Sequence, residues 1–245
     1  MLSKAQIKHI QSLQHKKYRQ KYRQYMAEGD KIVQELLQAG LVQQVYATAD
    51  WLEEQGPLPA TITAAQVHVV TPQELRQLSA LTTPNRAMAL LPVPPAKEPG
   101  DLGGTISLAL ETIQDPGNLG TIIRIADWFG IPQVICSPDC VDAYNPKTIQ
   151  ATMGSIARVR VTECDISTLL QQAGVPAYAA TLHGRSIAEF STIQEGIILI
   201  GNESRGLSTA VLERSAHRIT IPRLGSAESL NAAVATGIIC SKLLI

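Results

Sequence analysis

The chain has 245 residues, of which 45% are apolar and only 17% charged, so it can bury a sizeable core and is not a disordered protein. Its formal net charge is zero, which by itself argues for no nucleic-acid partner. There is no run of about 18 apolar residues for a membrane span, and the cationic, polar start lacks the apolar stretch of a secretory signal, so a cytoplasmic location is expected.

The charge distribution is less bland than its sum. From Met1 to Ala27 there is no acidic residue, while Lys4, Lys8, Lys16, Lys17, Arg19, Lys21 and Arg23 supply seven positive charges among Tyr18, Tyr22, Tyr25 and two histidines. Cations interleaved with aromatics suit phosphate contacts and base stacking, and Lys16, Lys17, Arg19 and Arg23 are the expected RNA contacts. A solvated basic helix of no specific purpose is the alternative.

Glu28 to Leu37 reads as a helix with Ile32, Val33, Leu36 and Leu37 on one face, ended by Gly40, and Val42 to Thr48 as a strand. Val67 to Val70 is a second strand candidate, Pro72 to Leu81 a helix opened by Thr71, and Arg86 to Leu91 a third strand. The alternation suggests a small α/β module over residues 1–91. Residues 92–104 carry four prolines and three glycines and form the expected linker. Over residues 105–245 strands are expected at Ile106 to Ile113, Gln133 to Cys136, Val159 to Thr162, Ala177 to Leu182, Ile197 to Gly201 and Arg218 to Ile221. Helical stretches separate them, Gly117 to Phe129 foremost. This implies a mostly parallel sheet covered by helices, with ligands at the carboxyl ends of the strands.

The final helix opens at Ser229-Leu230-Asn231, with Leu230, Ala233, Val234, Gly237, Ile238, Ser241, Leu244 and Ile245 forming a small, apolar face that must pack on something. Ser229 is a candidate helix cap, and the free N–H groups at the helix mouth could also hold a ligand.

Glycine and polar side chains combine at three of the strand ends: Gln114 to Gly120, Gly201 to Gly206, and Pro222 through Asn231. Glycine lets a backbone approach a ligand closely, and a buried backbone edge can read an adenine-like ring. No GxGxxG follows the first strand of a βαβ unit, and Gly201 to Gly206 lacks the lysine of a P-loop. Cys136, Cys140, Cys164 and Cys240 form no CxxC pair, and no histidines stand at zinc-ligand spacing, so neither a metal site nor a disulfide framework is expected.

DPGNLGTIIRIADWFG (Asp115 to Gly130), LIGNESRGLS (Leu199 to Ser208) and IPRLGSAESLNAAVATG (Ile221 to Gly237) together resemble the three motifs of the SpoU/TrmH family of RNA ribose 2′-O-methyltransferases, within the SPOUT class, in order and spacing. The N-terminal segment resembles the ribosomal-protein-like substrate-binding domain of many members. The resemblance implies a deep trefoil knot in the C-terminal domain, helices on both faces of its sheet, a homodimer, and S-adenosylmethionine bound in the knot. It implies methyl transfer to structured rRNA, with tRNA as the second target class; a catalytically silent RNA-binding module is the alternative from another class.

The same resemblance implies site residues. Arg124 matches the catalytic arginine, proposed in the family as a base, yet a guanidinium with pKa above about 12 is normally a pure donor. It could instead grip the adjacent phosphate and stabilise the forming alkoxide. Its structural alternative is a surface pair with Asp127 at i+3, worth about 0.2–0.5 kcal/mol. Asn118 could orient the ribose or Arg124, Glu203 could position either, and Ser229 and Asn231 would shape the site. Ile200, Gly201, Asn202, Ile221, Ser229 and Leu230 are the expected cofactor contacts. The bland alternatives are helix capping and strand-end packing.

Overall fold

A computed structural model describes residues 2–245; Met1, the first residue of the basic segment, lies outside them. The chain divides into two compact units. The first comprises the sequence up to Pro95 together with Asp142–Ala157, and the second comprises Ala96–Val141 and Arg158–Ile245.

The first unit runs α1 (Lys4–Ser12), α2 (Lys16–Tyr22), β1 (Gln24–Glu28), α3 (Asp30–Gln38), β2 (Gln44–Ala47), α4 (Ala49–Gln55), β3 (Val67–Val69), α5 (Pro72–Leu78) and β4 (Ala87–Pro92). Ser3 and Thr71 open α1 and α5 with capping boxes, each hydroxyl accepting from an N3 amide while the N3 side chain returns the bond. The sheet has the order β1-β4-β2-β3, with β4 antiparallel to β1 and β2, and β3 parallel to β2. Side-chain alternation divides the core. Tyr25, Ala27, Val45, Ala89 and Leu91 pack with Ile32, Val33 and Leu36 of α3, while Met26, Tyr46, Met88 and Leu90 pack with Ile10, Leu13, Leu75 and Leu78.

The basic segment is two short helices, and Arg23, in the left-handed region at φ 52°, turns the chain into β1. Lys16, Lys17 and Arg23 are exposed, but Arg19 is only 3% exposed. Its Nη1 donates to Leu13 O at 2.8 Å and Gln14 O at 2.9 Å, and its Nε and Nη2 donate to Asp142 Oδ2 at 2.9 and 2.5 Å. The expectation of Arg19 as an RNA contact is therefore corrected: the side chain is buried and four of its five N–H groups are bonded internally. Removing one partner would strand a buried charge, so this pair is structural. Asp142 belongs to the segment whose helix α7 (Pro146–Thr152) packs on β1 and adds Ile149 to the core beside α3.

The second unit runs β5 (Ile106–Leu110), α6 (Pro116–Trp128), β6 (Gln133–Cys136), β7 (Arg160–Glu163), α8 (Ile166–Gln172), β8 (Ala177–Ser186), β9 (Gly196–Ile200), α9 (Thr209–Glu213), β10 (His217–Thr220) and α10 (Ala232–Leu244). Its six-stranded sheet has the order β10-β8-β9-β5-β6-β7, with every ladder parallel. β5 and β9 are buried along their whole length, as near-continuous apolar strands covered on both faces must be. Ala109, Ile135, Ala179, Ile197 and Leu199 meet Ile166 of α8 and Val211 of α9 on one face. The alternate residues, Leu108, Val134 and Ile198, are equally buried on the other, and α6 packs with α10. The Pro/Gly stretch is fastened at Gly100 and Asp101 by both ends of the Gln133 amide, at 2.8 and 3.1 Å.

Two departures shape the site. β8 pairs with β9 only through Ala179, and the ladder to β10 jumps from Ala179 at Arg218 to Arg185 at Ile219. Residues 180–184 therefore bow out of the ladder. Gly184 passes so close to β10 that an added Cβ would lie 2.6 Å from Arg218 O. In addition, α10 starts at Ala232, with Asn231 as its cap in place of the expected Ser229: Asn231 Oδ1 accepts from the amides of Ala233 and Val234 at 3.0 and 3.2 Å. Its buried face is Ala232, Ala233, Thr236, Ile239, Cys240 and Leu243. Val234, Ile238 and Ile245, expected on the packed face, are 52%, 38% and 79% exposed.

Candidate active site

The carboxyl ends of β5, β9 and β10 carry the three glycine-containing loops, and hydrogen bonds between side chains tie these loops together. α6 begins where Asp115 accepts the Asn118 amide proton at 2.8 Å and Pro116 fills the first helical position, whose N–H needs no partner. Asn118 then stands one turn inside the helix. Its Nδ2 donates to Glu203 Oε1 at 2.7 Å, and its Oδ1 accepts from Asn231 Nδ2 at 2.8 Å. Because Asn231 Oδ1 is spent on the start of α10, its amide can only donate toward Asn118, which in turn must donate to the carboxylate. The direction of every bond in the Asn231–Asn118–Glu203 chain is thus fixed.

Arg124 lies on the exposed side of α6, with Thr121 and Trp128 at helical spacing. The surface pair with Asp127 does not form. Asp127 is held by Arg158, whose Nη2 and Nε approach Oδ2 at 2.8 and 2.9 Å. Arg124 makes no hydrogen bond or ion pair among the described residues. An arginine left with all its donors free, on the helix that Asn118 opens, is available to an anionic ligand.

The bowed-out stretch of β8, the loop after β9 and the segment after β10 enclose a cavity of about 540 Å³. The expected cofactor contacts Ile200, Gly201, Asn202, Ile221, Ser229 and Leu230 all line it, and so does Glu203. At Gly201 a Cβ would fall 2.3 Å from Gly206 C and 2.5 Å from Leu207 N, so only glycine allows the loop to close here. Asn202 and Gly206 exchange backbone bonds at 3.1 and 2.9 Å. The Asn202 side chain fastens that loop: Oδ1 accepts from Ser204 N and Arg205 N at 3.0 and 3.1 Å, while Nδ2 donates to Thr112 O at 2.9 Å. Ser229 is exposed.

Sequence reasoning missed the supports beneath these loops. Glu111 accepts from Ser208 N and Oγ, both at 2.7 Å, tying the end of β5 to the start of α9. Thr112 is held at φ 58° by the bond from its amide to Ser137 Oγ at 2.9 Å and by its hydroxyl on Asp139 at 2.5 Å. Bonds from the Ser137 and Thr112 hydroxyls hold the Asp139 carboxyl below the usual range. The neighbouring Cys140 thiol, which accepts from Ile113 N at 3.3 Å, is pulled down to about 7, chiefly by its bond from Cys136 and against the effect of burial. Glu111, Thr112, Ser137 and Asp139 lie outside the three quoted motifs, so no local pattern drew attention to them.

Residues 105–241, more than half of the chain, match the SpoU rRNA Methylase family. The chain belongs to this family. Residues 4–89 match the MRM3-like substrate binding domain that accompanies it. Along almost its full length the chain is similar to the 23S rRNA (guanosine(2553)-2′-O)-methyltransferase RlmP of Bacillus subtilis, at 29% identity over 95% of this chain and 93% of that protein. Among solved structures, a TrmH-family structure from Porphyromonas gingivalis superposes with a TM-score of 0.89 and 37% identity, covering 100% of this chain and 98% of the other. The AdoMet-bound rRNA methyltransferase of Sinorhizobium meliloti gives 0.84 at 27% identity, covering 99% and 95%. The expectation of a SpoU/TrmH member with a parallel sheet flanked by helices is met.

Proposed function

We propose that the chain transfers the methyl group of S-adenosylmethionine to a ribose 2′-hydroxyl of structured RNA, with rRNA as the target class. The observation that carries this reading is the Asn231–Asn118–Glu203 chain, which joins the three loops and reaches a glycine-cradled cavity at Glu203, while Arg124, on the same helix as Asn118, has no partner among the described residues. The likeness to RlmP over nearly the whole of both chains supports rRNA as the target.

The cavity suits the cofactor. Its volume is in the range of small-molecule sites, Ile200 and Ile221 offer apolar contact, and the glycine at 201 brings backbone edges within reach of a purine. When bound, S-adenosylmethionine supplies a methyl group already activated by a cationic sulfur. The protein's share of the reaction is then alignment and help with one proton. Arg124 grips the phosphate beside the target ribose and donates to the oxygen as negative charge develops on it. Glu203, fixed by Asn118, orients the ribose or the guanidinium, while Ser229 and Asn231 shape the approach.

Residues 1–91 serve as the RNA-binding domain in this reading, with 92–104 as linker. Lys16, Lys17 and Arg23 are joined as RNA contacts by Lys21, which lies 5.3 Å over the Tyr22 ring, and by the nearly parallel Tyr18 and Tyr22 rings, 6.2 Å apart. Replacing Lys16, Lys17 and Lys21 together by glutamine is expected to weaken RNA binding. The slope of log K against log salt should become shallower by about 2–3, with S-adenosylhomocysteine affinity unchanged. An unchanged slope, read by fluorescence anisotropy at several salt concentrations, would make the segment a solvated surface only.

Val234, Ile238 and Ile245 on α10, with Trp128 on α6 at 84% exposure, support a homodimer. The family resemblance supports trefoil threading of the C-terminal segment. Among the described residues no helix is long and apolar enough to cross a membrane, and a cytoplasmic setting accompanies the rRNA target.

Calorimetric titration with S-adenosylmethionine and S-adenosylhomocysteine tests the reading, followed by tritium transfer to rRNA and tRNA. Saturable binding near one site per chain, with label entering rRNA, is the expected result. Label in tRNA alone would move the target class, and a folded protein that binds RNA but neither nucleoside would be an RNA-binding module.

A further inference from the structure

The two core clusters of the first unit include Ile10 and Leu13 of α1 but no residue of α2, whose one buried residue is Arg19. The two tyrosines of α2 meet other rings instead. Tyr18 and Tyr22 have planes 13° apart with centroids at 6.2 Å, His9 of α1 meets Tyr22 edge to face at 4.6 Å and 67°, and His15 meets Tyr18 at 6.4 Å. His9 is itself held in place. The Gln24 amide donates through Nε2 to Gln43 Oε1 at 2.8 Å, so its Oε1 must accept from His9 Nε2, 2.9 Å away. The result is a row of four rings at the surface, in which Tyr22 is 39% exposed and His15 is exposed.

We propose that this row is a stacking shelf for unpaired bases, so that the RNA reaching α1 and α2 is a single-stranded loop or bulge and not a duplex. The assignment rests on the RNA-directed reading above and names the form of RNA that this segment takes. Tyr18 and Tyr22 are four residues apart, as are Lys17 and Lys21, so rings and cations run side by side along α2. An unpaired strand offers a base face and a phosphate at every nucleotide, and these two rows can meet both. In an A-form duplex the base faces are hidden against one another. Such a helix presents phosphates and 2′-hydroxyls, which would engage the lysines and leave the rings idle. Charge complementarity supports the partner: Lys4, Lys8, Lys16, Lys17, Lys21 and Arg23 are all exposed, and the sequence has no acidic residue from Met1 to Ala27.

The test measures the affinity of the full chain, by fluorescence anisotropy, for an unpaired RNA of about ten nucleotides and for the same strand annealed to its complement. Tyr22→Leu and Tyr22→Phe are compared with the unaltered chain. Leucine removes the flat ring and keeps an apolar side chain. It is expected to weaken the unpaired RNA by about tenfold and the duplex by no more than about twofold, while phenylalanine stays within about twofold for both. No charge is lost, so the slope of log K against log salt should be the same in the leucine variant as in the unaltered chain, the opposite of the glutamine replacements at Lys16, Lys17 and Lys21. The assignment is overturned if leucine leaves the unpaired RNA bound as before, if it weakens the duplex equally, or if phenylalanine loses as much as leucine. Should Tyr22→Leu fail to fold, Tyr18→Leu carries the same comparison. Failure of the unaltered chain to bind either RNA would overturn the RNA-directed reading itself, a result distinct from any of these.

Discussion

Arg124→Ala is expected to lower methyl transfer by about 10²–10³ fold, the range for losing a donor aimed at developing charge, while S-adenosylhomocysteine affinity and the unfolding temperature stay as they were. The separation follows from the geometry. Arg124 is exposed and makes no hydrogen bond or ion pair among the described residues, so its removal strands no partner there and opens no cavity, and it is not among the residues that line the pocket. Arg124→Lys then distinguishes the two roles open to the residue. As a clamp, lysine keeps a point charge but loses the fork that fits a phosphate, so activity is partly restored and falls as pH rises toward lysine's ordinary pKa near 10. As a base, lysine would become more effective over that same interval, and activity would climb. Single-turnover rates from about pH 7 to 10 read the sign. Unchanged turnover in the alanine variant would remove Arg124 from the mechanism.

Glycine and the strand-end pattern made the second unit readable. Gln133–Cys136 is a strand with the expected bounds, and the other strands deviate by only a few residues: β5 and β9 are short apolar runs, while β7 and β10 are marked by β-branched pairs, Val161-Thr162 and Ile219-Thr220. The loops were legible because glycine must sit where Gly201 sits, against the backbone of Gly206. β1 was missed for the converse reason: the turn before it uses Arg23 in the left-handed region, a conformation that sequence signals only through glycine or asparagine. Arg19 looked like its neighbouring cations, and its charged partner, Asp142, is 123 residues away. No local pattern encodes a partner at that separation. The choice of Asn231 over Ser229 as helix cap is of the same kind. Both residue types cap well, and Asn118, 113 residues away, gives Asn231 the additional bond.

Asn118 is where the site's polar chain can be reversed by one atom, so Asn118→Asp is more informative than removal. Asn118→Ala should cost about 10²-fold in methyl transfer, since Glu203 and Asn231 lose the amide that aligns them. Aspartate has nearly the same shape but replaces the donor facing Glu203 with a second carboxylate, at a spacing of 2.7 Å between heavy atoms. Two carboxylates so close cannot both ionise cheaply, and one proton will be shared between them, as in paired-acid sites. The sign is then determined. The folded-state pKa of the pair is raised above its unfolded value, so the penalty on stability is full when pH lies above that raised pKa and is relieved as pH falls through it. The variant should unfold well below the unaltered chain at pH 8, and the gap should narrow toward about pH 5, with proton uptake on folding in the same interval. Asn231 still finds an acceptor at position 118, so α10 should keep its cap. A gap that does not change with pH would mean that Glu203 does not face residue 118 in solution, and the chain linking the three loops would then have no role in catalysis.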